Sequence, residues 1–593
     1  MPHARRGRPA AVLVVLGLAV AMAACSDDDD SAGATTPTTI EGDTDVTSED
    51  SSAATTPATA EGDTDVTSED SSAATTPTTA EGDTDGSGGG ELVVGVDEDT
   101  YVTEEPEADV GFVPRGIFEG LVEMTPDYEI EGVLATEWEF VEPNTWRFTL
   151  RRDVTFHDGT PFTAEAVKYT FDRIAERGGD NLRLGPDSTV IVDDFTVEVT
   201  PTVENRRLVE QLVHPTHSIL APGGEPGAAP VGTGPFQFGS YAPQEELVVE
   251  RFDDYWGEPA GVEQITFKFI PEPNARRLAL ESGDIDVMLD VPLDVVSAVE
   301  ANGFSVDIPE PGLYEAMYAN ISGAGGYTKL QDVAVRKAIA MSIDRNALVE
   351  GVFDGIAVNE QTMVPARLLG EEASQIEGFE FDLEAAGVLL DEAGWATGDD
   401  GVRERDGERL SLQLINGFPS SQEHGTVAEF IQAQLGEVGI EVEIITTPDA
   451  QAYEDRLGSG QGDLWLERGN QNDANPSFLP ALLFWEEGLF GNIGYQPYFA
   501  PGWPQGATEN AEGPPRVGDG RFDEAVVEAL AAPTNEGTLA STAEAMHLLI
   551  DEYVIVIPLA GLVRPVAFRD GVEGMSAHPS GVQIRFDGIT VDG

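Results

Sequence analysis

The chain predicts an α/β protein built of lobes, with mixed sheets flanked by helices, and three observations carry that expectation. From residue 91 onward, short apolar runs alternate with stripes whose apolar residues recur every three or four positions, the pattern of strands interleaved with helices. Roughly 500 residues share this pattern, more than one core usually holds, so two or three lobes are expected. Cys25 is the only cysteine in 593 residues. No intrachain disulfide can staple the fold, and a chain this large can bury enough surface to fold without one.

The elements follow in order. Leu92 to Val96 is a short apolar run that suits a buried strand. Trp146, Phe148 and Leu150 alternate with polar neighbours, a half-buried strand. A turn at His157-Asp158-Gly159-Thr160-Pro161 leads to a helix capped by Thr163, with Ala164, Val167, Phe171 and Ile174 on one face. Ile265, Phe267 and Phe269 form a further strand, and a short helix around Arg276 to Leu280 stops at Gly283. Asp332 opens a helix bearing Val335, Ala338, Ile339 and Ser342, and Asp382 opens another bearing Leu383, Ala386 and Leu390, ended by Gly394. Val427, Phe430, Ile431 and Leu435 make a helical stripe that turns at Gly439 into the strand Ile440, Val442, Ile444. The continuous apolar run Val554 to Leu559 reads as a central strand, and Asp344-Arg345 as a fixed ion pair.

The N-terminal region has a different character. Arg5, Arg6 and Arg8 precede an apolar run over residues 10–22, the layout of a secretory signal and too short to span a bilayer. Met22-Ala23-Ala24-Cys25 resembles the lipobox of bacterial lipoproteins, which implies a diacylglyceryl group on Cys25. Residues 35–85 then repeat with a period of 20 and contain almost no large apolar residues. They cannot offset the entropy of ordering, so residues 26–90 are expected to form a disordered acidic stalk that reaches about 45 Å on average.

The net charge is −76, and residues 26–90 contribute 17 acids and no lysine or arginine. Most of the excess therefore lies on the folded body. Such a surface repels nucleic acid and anionic headgroups. Catalytic chemistry finds little support: seven histidines, one of them in the signal, form no triad with a Gly-x-Ser-x-Gly elbow or a zinc-protease helix. His214 and His217 flank Pro215 without a third nitrogen or sulfur ligand, which argues against zinc. His157-Asp158-Gly159 reads as a turn, and Gly232-Thr233-Gly234-Pro235 as a tight backbone path at a lobe boundary.

Several blocks, in order, carry a resemblance. They are 134–138 (LATEW), 146–151 (WRFTLR), 154–167 (VTFHDGTPFTAEAV), 231–236 (VGTGPF), 254–256 (DYW) and 282–286 (SGDID), followed by 335–338 (VRKA) with 343–345 (IDR), 392–395 (EAGW) and 556–559 (VIPL). Together the chain resembles the family 5 extracellular solute-binding proteins, the oligopeptide, dipeptide and nickel receptors of bacterial ABC importers. The resemblance implies a two-lobed periplasmic-binding-protein fold of type II with an extra domain. It implies a monomeric receptor on the outer face of the cytoplasmic membrane, lipid-anchored, that closes on a peptide or other small solute and presents it to permease subunits with their ATPase. No enzyme activity, cofactor or metal is implied. The expected organisation is signal 1–25, stalk 26–90, lobe I at 91–120, 231–312 and 551–593, extra domain 121–230, and lobe II 313–550.

The resemblance also suggests where ligand is met. The stretch 463–476 corresponds to the lobe II cleft wall that supplies an acid for a ligand's amino terminus. Asp473 is the expected acid, with Asn472 as the alternative. Arg468 could hold a carboxylate, while Asn470, Gln471 and Asn472 can donate and accept hydrogen bonds. Trp465 belongs to the same wall. Tyr101, Tyr314 and Tyr318 should line the cleft through their positions, each offering an apolar ring with a polar tip. A metal complex or a sugar on the same scaffold remains the alternative cargo.

Overall fold

The computed structural model describes residues 90–97, 116–177, 182–223, 230–321, 323–417, 423–448, 452–453, 455–456, 459–484, 520–581 and 583–591. The signal segment, Cys25, the acidic repeats and Tyr101 lie outside the described residues. Among the described residues no helix is long and apolar enough to cross a membrane.

The segments expected to form lobe I are organised around the first strand, Glu91–Val96, which pairs in parallel with Gln264–Phe269 on one side and Val287–Met288 on the other. The full sheet has seven strands, in the order Ser305–Asp307, Val566–Phe568, Val287–Met288, Glu91–Val96, Gln264–Phe269, Glu246–Arg251, Phe236–Ala242. Leu92, Val94, Ile265 and Phe267 join one core on the sheet, while Val93 packs against the other with Leu280 and Ile285. The helix Pro273–Ser282 connects two of the parallel strands and ends, as its sequence predicts, at Gly283 with φ of 81°. It packs over Gly95, where a Cβ would lie 3.3 Å from Arg276 of the helix and 2.5 Å from Ile285 just beyond it.

The segment expected to form the extra domain contains a four-stranded antiparallel sheet, ordered Ala135–Val141, Thr145–Leu150, Thr196–Val199, Thr189–Asp193. The helix Ala164–Arg177 covers it, and Phe148, Leu150, Val167, Phe171 and Ile174 share its core. The turn before that helix is bound to lobe I, since His157 Nε2 lies 3.0 Å from the Gly234 carbonyl. The glycines there are required by space. A Cβ on Gly232 would sit 1.9 Å from the Ile117 carbonyl oxygen, and one on Gly234 2.0 Å from that of Gly116.

The segment expected to form lobe II contributes most of a five-stranded sheet ordered Glu441–Ile445, Ser411–Ile415, Leu464–Asn470, Leu313–Ala319, Val556–Leu562. Its helices begin where the sequence places their caps. Asp332 accepts from the Ala334 amide and Asp382 from the Ala385 amide, each satisfying a donor that the first turn leaves open. The helix Glu423–Glu437 buries Val427, Ile431 and Leu435 against the sheet.

Three expectations are corrected. Val556–Leu562 is an edge strand, not a central one, although all seven of its residues are buried. Its free edge is covered: Val358 and Gly561 exchange backbone hydrogen bonds, and Arg345 Nε donates to the Pro558 carbonyl at 2.7 Å. Because this strand pairs with Leu313–Ala319, the chain returns to the lobe I sheet only at Val566–Phe568, later than the expected boundary at 551. Asp344 and Arg345, finally, serve separate ends. Asp344 caps the helix Arg345–Val352 through the Ala347 amide, while Arg345 spends its guanidinium on buried carbonyls, and burial lowers its pKa to about 10.

Candidate functional site

The strand Leu464–Asn470 and the loop after it carry the expected contacts, and the structure divides them into two groups. Trp465 and Tyr318 face each other in register across neighbouring strands, with rings edge to face at 5.3 Å. Tyr318 also packs on Phe484, and its hydroxyl lies 2.9 Å from that of Tyr314. All three are essentially fully buried in the lobe II core. The structure thus corrects the expectation of a cleft lining: their apolar faces meet protein, because alternation along both strands turns them onto the packed face of the sheet. Gly469 completes the arrangement, since a Cβ there would lie 2.4 Å from the Tyr314 hydroxyl oxygen.

Arg468 points the other way and is likewise committed. Its register partner is Glu315, which takes Nε at 3.0 Å, and Nη1 donates to Glu423 at 2.7 Å. His424 Nε2 stands 3.0 Å from the second Glu315 oxygen. Burial alone would push the Glu315 carboxyl up, but His424 and Arg468 hold it below the ordinary value. This buried network fixes a helix end to the centre of a sheet, and it leaves Arg468 without the open fork a ligand carboxylate would need.

The loop after Asn470 is built from side chains that fold their own backbone. Asp473 Oδ1 accepts from the Asn475 amide at 2.8 Å, and Asn475 Oδ1 accepts from the Ser477 amide at 3.0 Å, so acid and amide repeat the same two-residue turn. Gln471 Nε2 donates to the carbonyls of Asp473 and Asn475, both at 2.8 Å. Asn470 Nδ2 reaches the Ser580 carbonyl, and the Asn472 carbonyl accepts from Gln583 Nε2. Much of the amide-rich sequence is therefore turn chemistry.

What turn chemistry does not absorb is a set of buried polar atoms. Asp473 is 0 % exposed, and among the described residues its Oδ2 has no hydrogen-bond partner; neither do Gln471 Oε1, Asn472 Oδ1 and Asn475 Nδ2. Burial pushes the Asp473 carboxyl well above the ordinary carboxylate range, and Glu210 pushes it in the same direction. Native buried polar groups are nearly always paired, so a cluster like this calls for a reason.

The cluster lies where lobe II meets the extra domain. The Ala474 amide donates to the Glu210 carbonyl at 3.3 Å, Ala474 enters the extra domain's core, and the Phe478 ring is 5.8 Å from that of His214. Next to it is a cavity of about 560 Å³ between the extra domain and lobe I, lined among others by Glu119, Glu123, His214, Tyr255, Gln583 and Arg585. His214 and Gln583 belong to both places. Glu119 takes hydrogen bonds from Thr233, Tyr255 and Trp256, at 2.7 to 2.9 Å, yet burial still raises its pKa to about 7. Sequence reading missed Glu119, Glu210 and Gln583. The first lies in a local run that reads as core, and the others are brought in from distant segments with no local signal.

Comparison with known proteins gives this architecture its place. The family model of bacterial extracellular solute-binding proteins, family 5 middle, matches residues 129–488, more than half the chain. The chain belongs to that family. The nickel-binding periplasmic protein of Escherichia coli (strain K12) is 28 % identical over 368 residues, which is 58 % of this chain and 68 % of the relative. In fold, the chain is similar to NikA from Brucella suis in complex with Fe(III)-EDTA, with a TM-score of 0.71 at 24 % identity, covering 85 % of this chain and 100 % of that one. It is also similar to the oligopeptide-binding protein AppA from Bacillus subtilis in complex with a nonapeptide, with a TM-score of 0.66 at 19 % identity, covering 85 % and 99 %. The molecule is thus an extracellular or periplasmic solute-binding protein of an ABC importer, in a family of binding proteins and not of enzymes.

Proposed function

We propose that this chain is a lipid-anchored receptor, moored through Cys25, that captures peptides at the contact between lobe II and the extra domain and hands them to its permease. The observation that carries the ligand class is Asp473: fully buried, with one carboxylate oxygen unpartnered. Burying an unpaired charge is expensive, and a ligand ammonium supplies the partner that offsets it. The neighbouring cavity of about 560 Å³ gives room for the rest of a small solute. Asn472 and Gln471 offer further unsatisfied acceptors to backbone amides. Closure is then a population shift toward the state in which ligand satisfies these groups.

Nickel complexes are the second reading, favoured by the nickel-binding relative. Among the described residues no group of three or more His, Cys, Asp or Glu side chains is placed to hold a metal ion. A chelated metal would be recognised through its organic ligand. Calorimetry on the full chain with short peptides, their N-acetylated forms and nickel–histidine decides between them. Tight binding of free-amine peptides, weakened more than tenfold by Asp473→Asn, supports the peptide reading; binding of nickel–histidine alone overturns it.

A further inference from the structure

Asp473 is not the only acid at this contact with an oxygen to spare. Glu210 stands in the short helix Leu208–Gln211 of the extra domain, and its Oε1 accepts from Arg207 Nη1 at 2.8 Å. Its Oε2 is buried and has no hydrogen-bond partner among the described residues. The two acids belong to segments more than 260 residues apart. The Ala474 amide on the Glu210 carbonyl brings them together, and their electrostatic repulsion is felt at Asp473. We propose that Glu210 and Asp473 form a two-carboxylate seat for one organic ammonium group, so that the bound amine itself fastens the extra domain to lobe II. The inference rests on the reading of Asp473 as an amine-binding acid and adds its second half.

Several observations support the pairing. Each carboxylate is anchored through one oxygen, to Arg207 in one case and to the Asn475 amide in the other, which leaves one oxygen apiece. Burial lifts both carboxyls above the ordinary range, and at Asp473 the charge of Glu210 adds to that effect. A single cation between them relieves both at once. An ammonium group suits the seat because it offers several N–H donors from one centre. Arg207 is held between the Glu210 Oε1 it already serves and the Ala532 carbonyl. The adjoining cavity continues the acidic character with Glu123 and Asp587, both bound by Arg585.

The test uses the full chain, with wild type, Glu210→Gln, Glu210→Asp and Asp473→Asn titrated by calorimetry with three probes: trialanine, N-acetyl-trialanine and spermidine. Glu210→Gln keeps the shape and an acceptor for Arg207, and circular dichroism checks that each variant is folded. The expected result is that Glu210→Gln weakens a free-amine probe about tenfold, as loss of one charge-assisted contact implies. N-acetyl-trialanine should be indifferent to the change, and Glu210→Asp should recover part of the loss. Trialanine binding identifies a peptide amino terminus as the source of the ammonium, and spermidine binding a free amine. Unchanged affinity in Glu210→Gln, alongside a loss in Asp473→Asn, overturns the two-acid seat and leaves the single-acid reading standing. Free-amine probes that bind equally to all variants, or bind none of them, overturn both.

Discussion

Two buried carboxylates, one at the centre of a sheet and one in the loop beyond it, make the most instructive contrast in the molecule. Glu315, the partner of Arg468, and Asp473, in the loop that strand enters, are both 0 % exposed. Glu315 is ringed by Arg468 and His424 and is held below the ordinary carboxylate value, whereas Asp473 has a spare oxygen and an acidic neighbour and is pushed well above it. Glu119 lies between them, with three neutral donors and a pKa of about 7. Burial is common to all three, so the partners decide. A buried acid held between cations is architecture; one without a cation is an invitation to a ligand.

The contrast breaks most sharply at its paired end. Arg468→Met strips Glu315 and Glu423 of their shared cation, and breaking a buried pair from one side costs about 3–5 kcal/mol. Urea unfolding should show that loss, while the folded fraction still binds ligand; an unchanged midpoint would mean the network contributes nothing. The intermediate case is read through pH. Glu119 has a folded pKa of about 7 against an ordinary 4.5, so its contribution to stability is complete below 4.5 and is lost as pH rises through 7. At about 1.4 kcal/mol per pKa unit, that is on the order of 3 kcal/mol. Thermal unfolding should therefore fall between pH 5 and pH 8, and Glu119→Gln should flatten the slope. Glu315 has the opposite sign, its stabilisation being lost as pH falls through its depressed value.

The unpaired end gives the smallest change in stability and the plainest change in function. Asp473→Asn removes an acid that resists burial but keeps an acceptor for the Asn475 amide, so the melting temperature should hold or rise slightly while ligand affinity drops more than tenfold. A variant that loses both would make Asp473 another Glu315. Gly469→Ala is a control in the adjoining core. Its Cβ meets the Tyr314 ring, and overpacking of that kind costs about 1–3 kcal/mol, without a direct effect on Asp473.

What the chain reveals in advance follows the range of the interactions. The caps Asp332 and Asp382, the stop at Gly283 and the alternating strand Gln264–Phe269 are local, and they stand where their neighbours predict. The edge position of Val556–Leu562 was not legible, because Arg345 and Val358 bury that edge from afar. Arg468 was legible as a functional-looking charge but not as a spent one, since its acid lies 153 positions away on a register partner. Asp473 could be singled out by motif. Glu210, brought to it only by the packing of two domains, could not.

The order of strands in lobe I bears on how fast the molecule can form. Glu91–Val96 is separated from Val566–Phe568 by a single intervening strand, Val287–Met288. That side of the sheet stays incomplete until residues 566–568 have been made, and pairings between such distant segments form slowly. Completion of that sheet is thereby tied to a meeting of segments more than 400 residues apart, whereas the four-stranded sheet over residues 135–199 is assembled from neighbours in sequence.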